Sequence, residues 1–343
     1  MEREGLVMAT LLDIAREAGV AKSTVSRVLR KDPSLSTSDE TREKIFAAAR
    51  ALGYEIKQEK LLNHATTNIM VVHKDTHFMN QVDNAYYFSV RSGIEEACYK
   101  RKYKFTFTPF QFIDSVEEKP DGVLVVGNFE KTQVDLILKK IRTSNIVFIG
   151  KVNYYPEKMD WITYDIKDCV YKSMEYLREN GHKRIAYMGG YDNADTPSEF
   201  SKYVYFEQYM NTYPELVFAG SIMGEHGVES GSRMMSQWLQ EKRELPDAFF
   251  ISNDPIAIGA IKVLNEQAVQ VPDMVSVTAI NGDSSGTFSF PALSTVDVHT
   301  YEMGKEAVAV LEERIHHKRT LAKKVEFHAD LVKRGSVKNL APA

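Results

Sequence analysis

The sequence has only two cysteines among its 343 residues and no apolar run of membrane-spanning length. Cys98 and Cys169 are far apart, lie in patterns typical of helices and form no CxxC pair, so we expect buried thiols rather than a disulfide scaffold or a zinc site. The first residues, MEREGLVMATLL, lack the hydrophobic core and cleavage site of an export signal. These absences predict a cytoplasmic protein without a membrane partner.

Motifs of the common enzyme classes are also missing. The sequence contains no GxGxxG, P-loop, HExxH or GxSxG pattern. His316 and His317 are adjacent rather than four residues apart, which is unsuitable for a metal pair on one helix face. We therefore expect no catalysis, no metal and no cofactor.

Charge of one sign is not in excess. The chain carries 43 Lys and Arg against 47 Asp and Glu, a formal charge of -4. Any affinity for nucleic acid must therefore come from a local cluster of charge. The length predicts two or more folding units.

The first 54 residues have the pattern of a helix-turn-helix. Thr10 is a suitable N-cap for a first helix that should stop at Gly19, and a second helix is predicted from Lys22 to Leu29. A third begins near Ser38 and ends at Gly53. Three short helices with a tight turn between the first two are typical of this motif.

The second helix has a polar outward face. Val25, Val28 and Leu29 should point inward, whereas Lys22, Ser23 and Arg27 should point out. Residues 22–31 contain four cations and no acid, and short polar groups near a helix N-terminus suit base edges in the major groove. From these residues alone, an ordinary solvated face of a three-helix bundle remains the alternative.

Most of the remaining chain alternates strand-length apolar runs with amphipathic helical stretches, which predicts parallel sheets covered by helices. The strands are predicted at 69–73, 104–107, 122–126, 145–149, 184–188, 217–221, 248–252 and 275–280. The helices are predicted at 88–101, 131–142, 167–180, 199–211, 229–240, 255–266 and 300–316. Two doubly wound lobes fit these elements best, with a ligand in the cleft at the carboxyl ends of the strands.

Asn253 and Asp254 follow a buried strand and precede a helix, where planar amide and carboxylate groups could bind the vicinal hydroxyls of a sugar. A simple N-cap is the alternative role for either residue.

Several ordered motifs resemble the LacI/GalR family of repressors. They are TLLDIA at 10–15, AGVAKSTVSRVL at 18–29, and TREKI through LGY between 41 and 54. The resemblance implies that Lys22, Ser23 and Arg27 read bases. It also implies that further residues contact or position the DNA backbone, namely Thr10, Thr24, Ser26, Arg30 and Tyr54.

The linker departs from this resemblance. Family members usually carry an Asn-x-x-Ala-Arg-x-Leu hinge that folds on DNA and inserts a Leu into the minor groove, whereas this chain reads IKQEKLLN at 56–63. Lys57 and Lys60 could contact phosphates, and Leu61 or Leu62 could be the inserted side chain. A charged linker that never orders is the alternative.

The resemblance continues through YLRENGHKRIAY at 176–187, NDPIAIGA at 253–260 and PALSTV at 291–296. It implies a regulatory domain similar to periplasmic sugar-binding proteins. The effector-binding residues that it implies, together with the strand-end pair, are Tyr86, Tyr87, Tyr164, Lys202, His226, Asn253, Asp254 and Asn281. Two of these depart from the family, because Lys202 stands where relatives have Arg and Asn281 where many have Asp.

These observations predict a small all-α headpiece followed by an α/β domain of two parallel-sheet lobes. The predicted bounds are 8–56 for the headpiece, 57–67 for the linker, 68–160 with 297–324 for lobe one, and 161–296 with 325–335 for lobe two.

The predicted function is a sugar-controlled transcriptional repressor that binds a pseudo-palindromic operator as a homodimer. Galactose is the first expected effector, because the similarity favours galactose-operon regulators of Gram-positive bacteria. A transport-type sugar-binding protein or a sugar-active enzyme is the alternative.

Overall fold

The computed structural model describes residues 10–29, 35, 37–52, 67–74, 84–117, 119–151, 154–191 and 201–340. The chain divides into two compact units, one that ends at Thr67 and one that begins at Asn68. Arg30, Tyr54, Lys57, Lys60, Leu61 and Leu62, for which DNA contacts are predicted, lie outside the described residues.

The first unit contains the predicted helix-turn-helix. Its helices are α1 (Leu11–Glu17), α2 (Lys22–Leu29) and α3 (Asp39–Ala51). Thr10 caps α1 in a capping box, because Asp13 N donates to the Thr10 hydroxyl while Thr10 N donates to the Asp13 carboxylate at 2.7 Å. Gly19 turns the chain with a φ of 64°, a conformation that favours glycine.

A small core holds the three helices together. Ile14, Val25 and Ile45, one from each helix, are almost fully buried and pack in one cluster. The inward side of α2 is therefore buried in this core, and its other side faces outward.

The second unit contains two lobes, each built on a sheet that has six strands within the described residues. The strands of the first sheet are β1 (Asn68–His73), β2 (Lys104–Pro109), β3 (Gly122–Val126), β4 (Ile146–Ile149), β5 (Asp160–Tyr164) and β11 (Lys324–Phe327). Those of the second are β6 (Arg184–Gly190), β7 (Val217–Gly224), β8 (Ala248–Ile251), β9 (Ser276–Asn281), β10 (Ser294–Asp297) and β12 (Asp330–Val332). The first sheet has the order β11-β5-β4-β3-β1-β2 and the second β12-β10-β9-β8-β6-β7.

Helices cover the sheets. They are α4 (Ala85–Arg101), α5 (Lys131–Lys140), α6 (Ile166–Glu179), α7 (Lys202–Thr212), α8 (Val228–Gln240), α9 (Asp254–Glu266) and α10 (Thr300–His316). The strand pairs are parallel except that β12 runs antiparallel to β10. The prediction of two doubly wound parallel lobes is thus confirmed. No helix in the described part of the chain is long and apolar enough to cross a bilayer.

The lobe boundaries differ from the predicted ones. β5 runs to Tyr164 and β11 to Phe327, and both strands belong to the first sheet, so lobe one extends a few residues past 160 and 324. These strands are short and contain polar residues, so the search for apolar runs did not predict them. The chain crosses between the sheets after β5, after β10 and after β11.

A buried ion cluster anchors the edge of lobe one. Asp160 at the start of β5 is fully buried and accepts hydrogen bonds from Arg314 Nε at 2.7 Å and from Arg319 Nη1 at 3.0 Å. The backbone N–H of Lys323 donates to the same carboxylate at 2.9 Å. Asp160 therefore ties α10 and the segment before β11 to β5.

Two glycines set the packing of α10 on α4. A Cβ on Gly93 would lie 2.1 Å from the carbonyl oxygen of Tyr301, and one on Gly304 would lie 2.1 Å from that of Val90. The two helix backbones therefore approach more closely than side chains would permit.

Candidate functional site

The outward face of α2 carries the residues predicted to contact DNA. Lys22, Ser23 and Arg27 are exposed, and Thr24 and Ser26 are partly buried. Thr10 lies at the start of α1, where its hydroxyl takes part in the capping box. A cationic and hydroxyl-bearing face opposite a fully packed one is the arrangement that a recognition helix requires.

A cavity of about 290 Å³ lies between the two lobes of the second unit. Lobe one supplies Asn84, Tyr86, Tyr87, Gly127, Asn128, Gly150, Lys151 and Tyr164 to its lining. Lobe two supplies Tyr187, Gly190, Lys202, His226, Ser252, Asn253, Pro255 and Asn281. Apart from Tyr187, which lies within β6, these residues lie at or just after the carboxyl ends of strands or at helix N-termini, where doubly wound folds bind ligands.

Seven of the eight residues predicted to bind an effector line this cavity. They are Tyr86, Tyr87, Tyr164, Lys202, His226, Asn253 and Asn281. Predictions that came from separate parts of the chain therefore meet at one place.

Asp254 is the exception, because it does not line the cavity. It is fully buried, and its two carboxylate oxygens accept from the Thr295 hydroxyl at 2.5 Å and from Asp283 N at 2.7 Å. Asp254 thus ties α9 to β10 and to the turn after β9, instead of facing a ligand.

Asp254 and Asp283 form a buried acid pair behind the cavity. Burial raises the pKa of both carboxyls, and the charge of Asp254 raises the pKa of Asp283 further. Asn281 Nδ2, at the cavity wall, donates to Asp283 Oδ2 at 3.2 Å. Two carboxyls this close and this poorly solvated favour retention of a proton near neutral pH.

Asn253 has two partners. Its Oδ1 accepts from Ile256 N at 3.0 Å, which caps α9, and its Nδ2 lies 3.1 Å from His226 Nδ1. The alternative N-cap role and a position in the cavity wall therefore coexist in one side chain. Gly190 makes room for His226, because a Cβ there would lie 2.3 Å from the ring carbon Cε1.

Two tyrosines and a lysine complete the polar wall. The rings of Tyr86 and Tyr87 meet edge to face at 5.0 Å. Burial raises the pKa of both phenols, that of Tyr87 to about 12, so both stay neutral donors. Lys202 is 6% exposed, and its Nζ donates to the carbonyl oxygen of Ser252 at 2.5 Å.

Several lining residues were not predicted, among them Asn128 and Lys151. Each lies two residues after the end of a predicted strand, β3 for Asn128 and β4 for Lys151. The strand-end rule that singled out Asn253 would have found them too. Among the described residues, no group of three or more His, Cys, Asp or Glu is arranged to hold a metal ion.

Comparison with known proteins supports both units. Residues 10–55 match the model for bacterial regulatory proteins of the lacI family, and residues 174–337 match the periplasmic binding protein-like domain. The HTH-type transcriptional regulator GanR of Bacillus subtilis (strain 168) is 33% identical over 340 residues, which is 96% of this chain and 100% of GanR. The chain belongs to the lacI family of bacterial regulatory proteins.

Further relatives agree with this assignment. The HTH-type transcriptional regulator GalR of Streptococcus thermophilus is 30% identical over 338 residues, 96% of this chain and 100% of GalR. A solved complex of the transcriptional regulator CelR with cellobiose superimposes with a TM-score of 0.69 at 22% identity, over 96% of this chain and 99% of CelR. The family resemblance read from the motifs is confirmed, and this lacI-family protein is a DNA-binding transcriptional regulator rather than an enzyme.

Proposed function

We propose that this regulator represses a sugar-utilisation operon in the bacterial cytoplasm and that a small sugar in the cavity between the lobes controls its affinity for the operator. The observation that supports this most is the cavity itself, which residues of both lobes line at the ends of their strands. CelR, which shares the fold, was solved with cellobiose. Galactose or a related galactoside is the first effector to test.

Base reading is assigned to Lys22, Ser23 and Arg27, which are exposed on α2. Arg presents a planar fork that can bind guanine in a bidentate manner, and short polar groups can approach base edges closely. Thr24 and Ser26 lie between Ser23 and Arg27 on the same helix, and the proposal gives them contacts that position the DNA backbone.

A homodimer is part of the proposal. One headpiece makes too few base contacts for useful selectivity, and two on a pseudo-palindrome double them. The second unit also exposes two large aromatic side chains in one short segment, since Phe288 is 87% exposed and Phe290 is 86% exposed. Contiguous exposed apolar surface is typical of protein contact sites, so this segment is a candidate part of the dimer contact.

Operator binding can be measured by fluorescence anisotropy on the promoter upstream of the protein's own gene. We expect a preference of about a thousandfold or more over scrambled duplex at about 0.1 M salt, and a large loss of affinity for a half-site. An effective sugar should weaken or strengthen that binding about 5- to 150-fold. No preference over scrambled duplex, with every sugar present or absent, would contradict the proposal.

Arg27→Ala tests the recognition face. It should lower the preference for the operator by about 1–3 kcal/mol per headpiece while affecting scrambled duplex much less. Arg233→Ala removes the same charge from an exposed position in lobe two and serves as the control. A uniform loss on all DNA would show that Arg27 contacts phosphate instead.

A further inference from the structure

The side-chain amide of Asn281 has one end held by the protein and the other end open. Asn281 lines the cavity, and its Nδ2 donates to Asp283 Oδ2 at 3.2 Å, whereas its Oδ1 accepts no hydrogen bond within the described part of the chain. Four sealed polar side-chain atoms lack a partner in that part of the chain, and they belong to Arg184, Trp238, Thr278 and Ser285. The Asn281 oxygen is not one of them, so it is open to the cavity that the residue lines.

An asparagine amide can meet a ligand with either end. Its NH2 group donates and its oxygen accepts, and a half-turn of the amide exchanges the two. A neighbour that accepts from the NH2 group removes this ambiguity, and Asp283 Oδ2 is such a neighbour. Although burial raises the pKa of Asp283, a protonated carboxyl keeps one carbonyl oxygen, so Oδ2 can accept while Oδ1 carries the proton.

The position of Asp283 is fixed by lobe two and not by a ligand. Asn281 and Gly282 have φ values of 145° and 78°, and this sharp turn brings Asp283 back beside Asn281. A Cβ on Gly282 would lie 2.6 Å from Asp297 Cα, so the turn packs tightly against the end of β10. The backbone N–H of Asp283 also donates to the buried Asp254 carboxylate at 2.7 Å. Asp283 is thus a rigid acceptor behind the cavity wall.

We propose that Asp283 is a positioning residue that holds the Asn281 amide with its oxygen toward the cavity, so that the site selects a sugar with a hydroxyl donor at this point. This inference rests on the proposed function, a sugar effector in this cavity. A ligand hydroxyl can donate to Asn281 Oδ1. A ligand group without a proton leaves that oxygen without a partner and loses affinity.

Isothermal titration of the full chain measures this selection. The probe is whichever of galactose, glucose, lactose and cellobiose binds most tightly, together with its forms in which fluorine replaces one hydroxyl. Fluorine is similar in size to a hydroxyl but has no proton to donate. We define the fluorine ratio as the dissociation constant of a fluorinated form divided by that of the unmodified sugar. At one hydroxyl or more, we expect a ratio of about ten or above in the parent protein.

Variants of Asp283 assign this ratio to the Asn281 amide. Asp283→Leu removes the acceptor, so the amide can turn, and the ratio at one of these hydroxyls should fall to about three or less. Asp283→Asn introduces an amide that can donate as well as accept, so it should give an intermediate ratio. Asp273→Asn, at an exposed carboxylate of lobe two, should leave every ratio unchanged.

An exchange of the two residues distinguishes positioning from a merely structural role. In the double variant Asn281→Asp with Asp283→Asn, the amide donates to the carboxylate in the reverse direction, and the residue at the cavity is again an acceptor. We expect the fluorine ratio of the parent protein to return. Circular dichroism of each variant checks that it is folded. Parent ratios at every hydroxyl in a folded Asp283 variant, or no recovery in the exchanged pair, would overturn the inference.

The outcomes separate this inference from the function on which it rests. If a sugar binds and shifts operator affinity but its fluorine ratios do not depend on Asp283, the positioning role is wrong and the sugar-controlled regulator stands. If none of the four sugars binds or shifts operator affinity, both proposals fail.

Discussion

Asp283→Asn should make the stability of lobe two less dependent on pH. In the folded protein Asp283 is buried beside Asp254, and burial and the neighbouring negative charge both raise its pKa. In the unfolded chain the same carboxyl has an ordinary pKa of about 3.9. The folded state therefore holds a proton that the unfolded state has released, from about pH 5 upward to the raised pKa.

The sign of the effect follows from this proton. Because the folded state binds more protons in that range, a rise in pH lowers the free energy of unfolding. The slope is about 1.4 kcal/mol per pH unit for one proton, so the parent protein should lose up to about 3 kcal/mol between about pH 5.5 and pH 7.5. The amide that Asp283→Asn introduces is neutral at every pH and nearly isosteric with the protonated acid, so this contribution should vanish.

The assay is urea denaturation across that pH range. Trp238 is fully buried in lobe two against Phe249, and its fluorescence in a Trp161→Phe background reports on this lobe. Asp273→Asn, at an exposed carboxylate, is the matched control. Burial also lowers the pKa of His182, but this histidine is present in every variant. Its contribution to the pH dependence of the unfolding free energy therefore cancels when the variants are compared. Equal slopes for the parent protein and Asp283→Asn would refute the reasoning.

Two other substitutions test the framework around the cavity. Gly190→Ala should displace the His226 ring, since the new Cβ would lie 2.3 Å from Cε1. We expect the effector concentration for half-maximal response to rise about tenfold. An unchanged dose-response curve in the anisotropy assay would show that the ring is not needed for effector binding. Asp160→Ala should lower the unfolding free energy by about 3–5 kcal/mol, because it leaves the buried Arg314 guanidinium without its carboxylate. Urea denaturation followed at Trp161, on the same strand, measures that loss, and a change below about 1 kcal/mol would mean that the cluster is replaceable.

The sequence predicted the architecture well where strands were long and apolar. Gly122–Val126 and Arg184–Gly190 are buried over most of their length, so they read as continuous hydrophobic runs. β5 and β10 were missed for the opposite reason. Asp160–Tyr164 and Ser294–Asp297 are short and contain polar residues whose partners, such as Arg314 for Asp160, lie far away in the chain. Because these polar residues are paired only through the tertiary fold, the local sequence around them shows no strand pattern.

The site shows the same limit at the scale of one residue. Asn253 and Asp254 are neighbours at a strand–helix junction, and the pattern predicted that both would reach the ligand. The backbone of Asn253 is still extended, with φ -155° and ψ 162°, whereas Asp254 is the first residue of α9. The two side chains therefore leave in different directions, one into the cavity wall and one toward Thr295. Only the dihedral angles at this junction distinguish them.

The even division of the cavity between the lobes bears on how a ligand could act at a distance. Among the described residues, each lobe supplies eight to the lining. A ligand that contacts both walls binds better at one separation of the lobes than at others, and only such differential affinity can shift a conformational equilibrium. A ligand held by one wall alone would bind equally well at every separation and would leave operator affinity unchanged. For the proposed sugar control to operate, side chains of lobe one and side chains of lobe two therefore have to engage the same molecule.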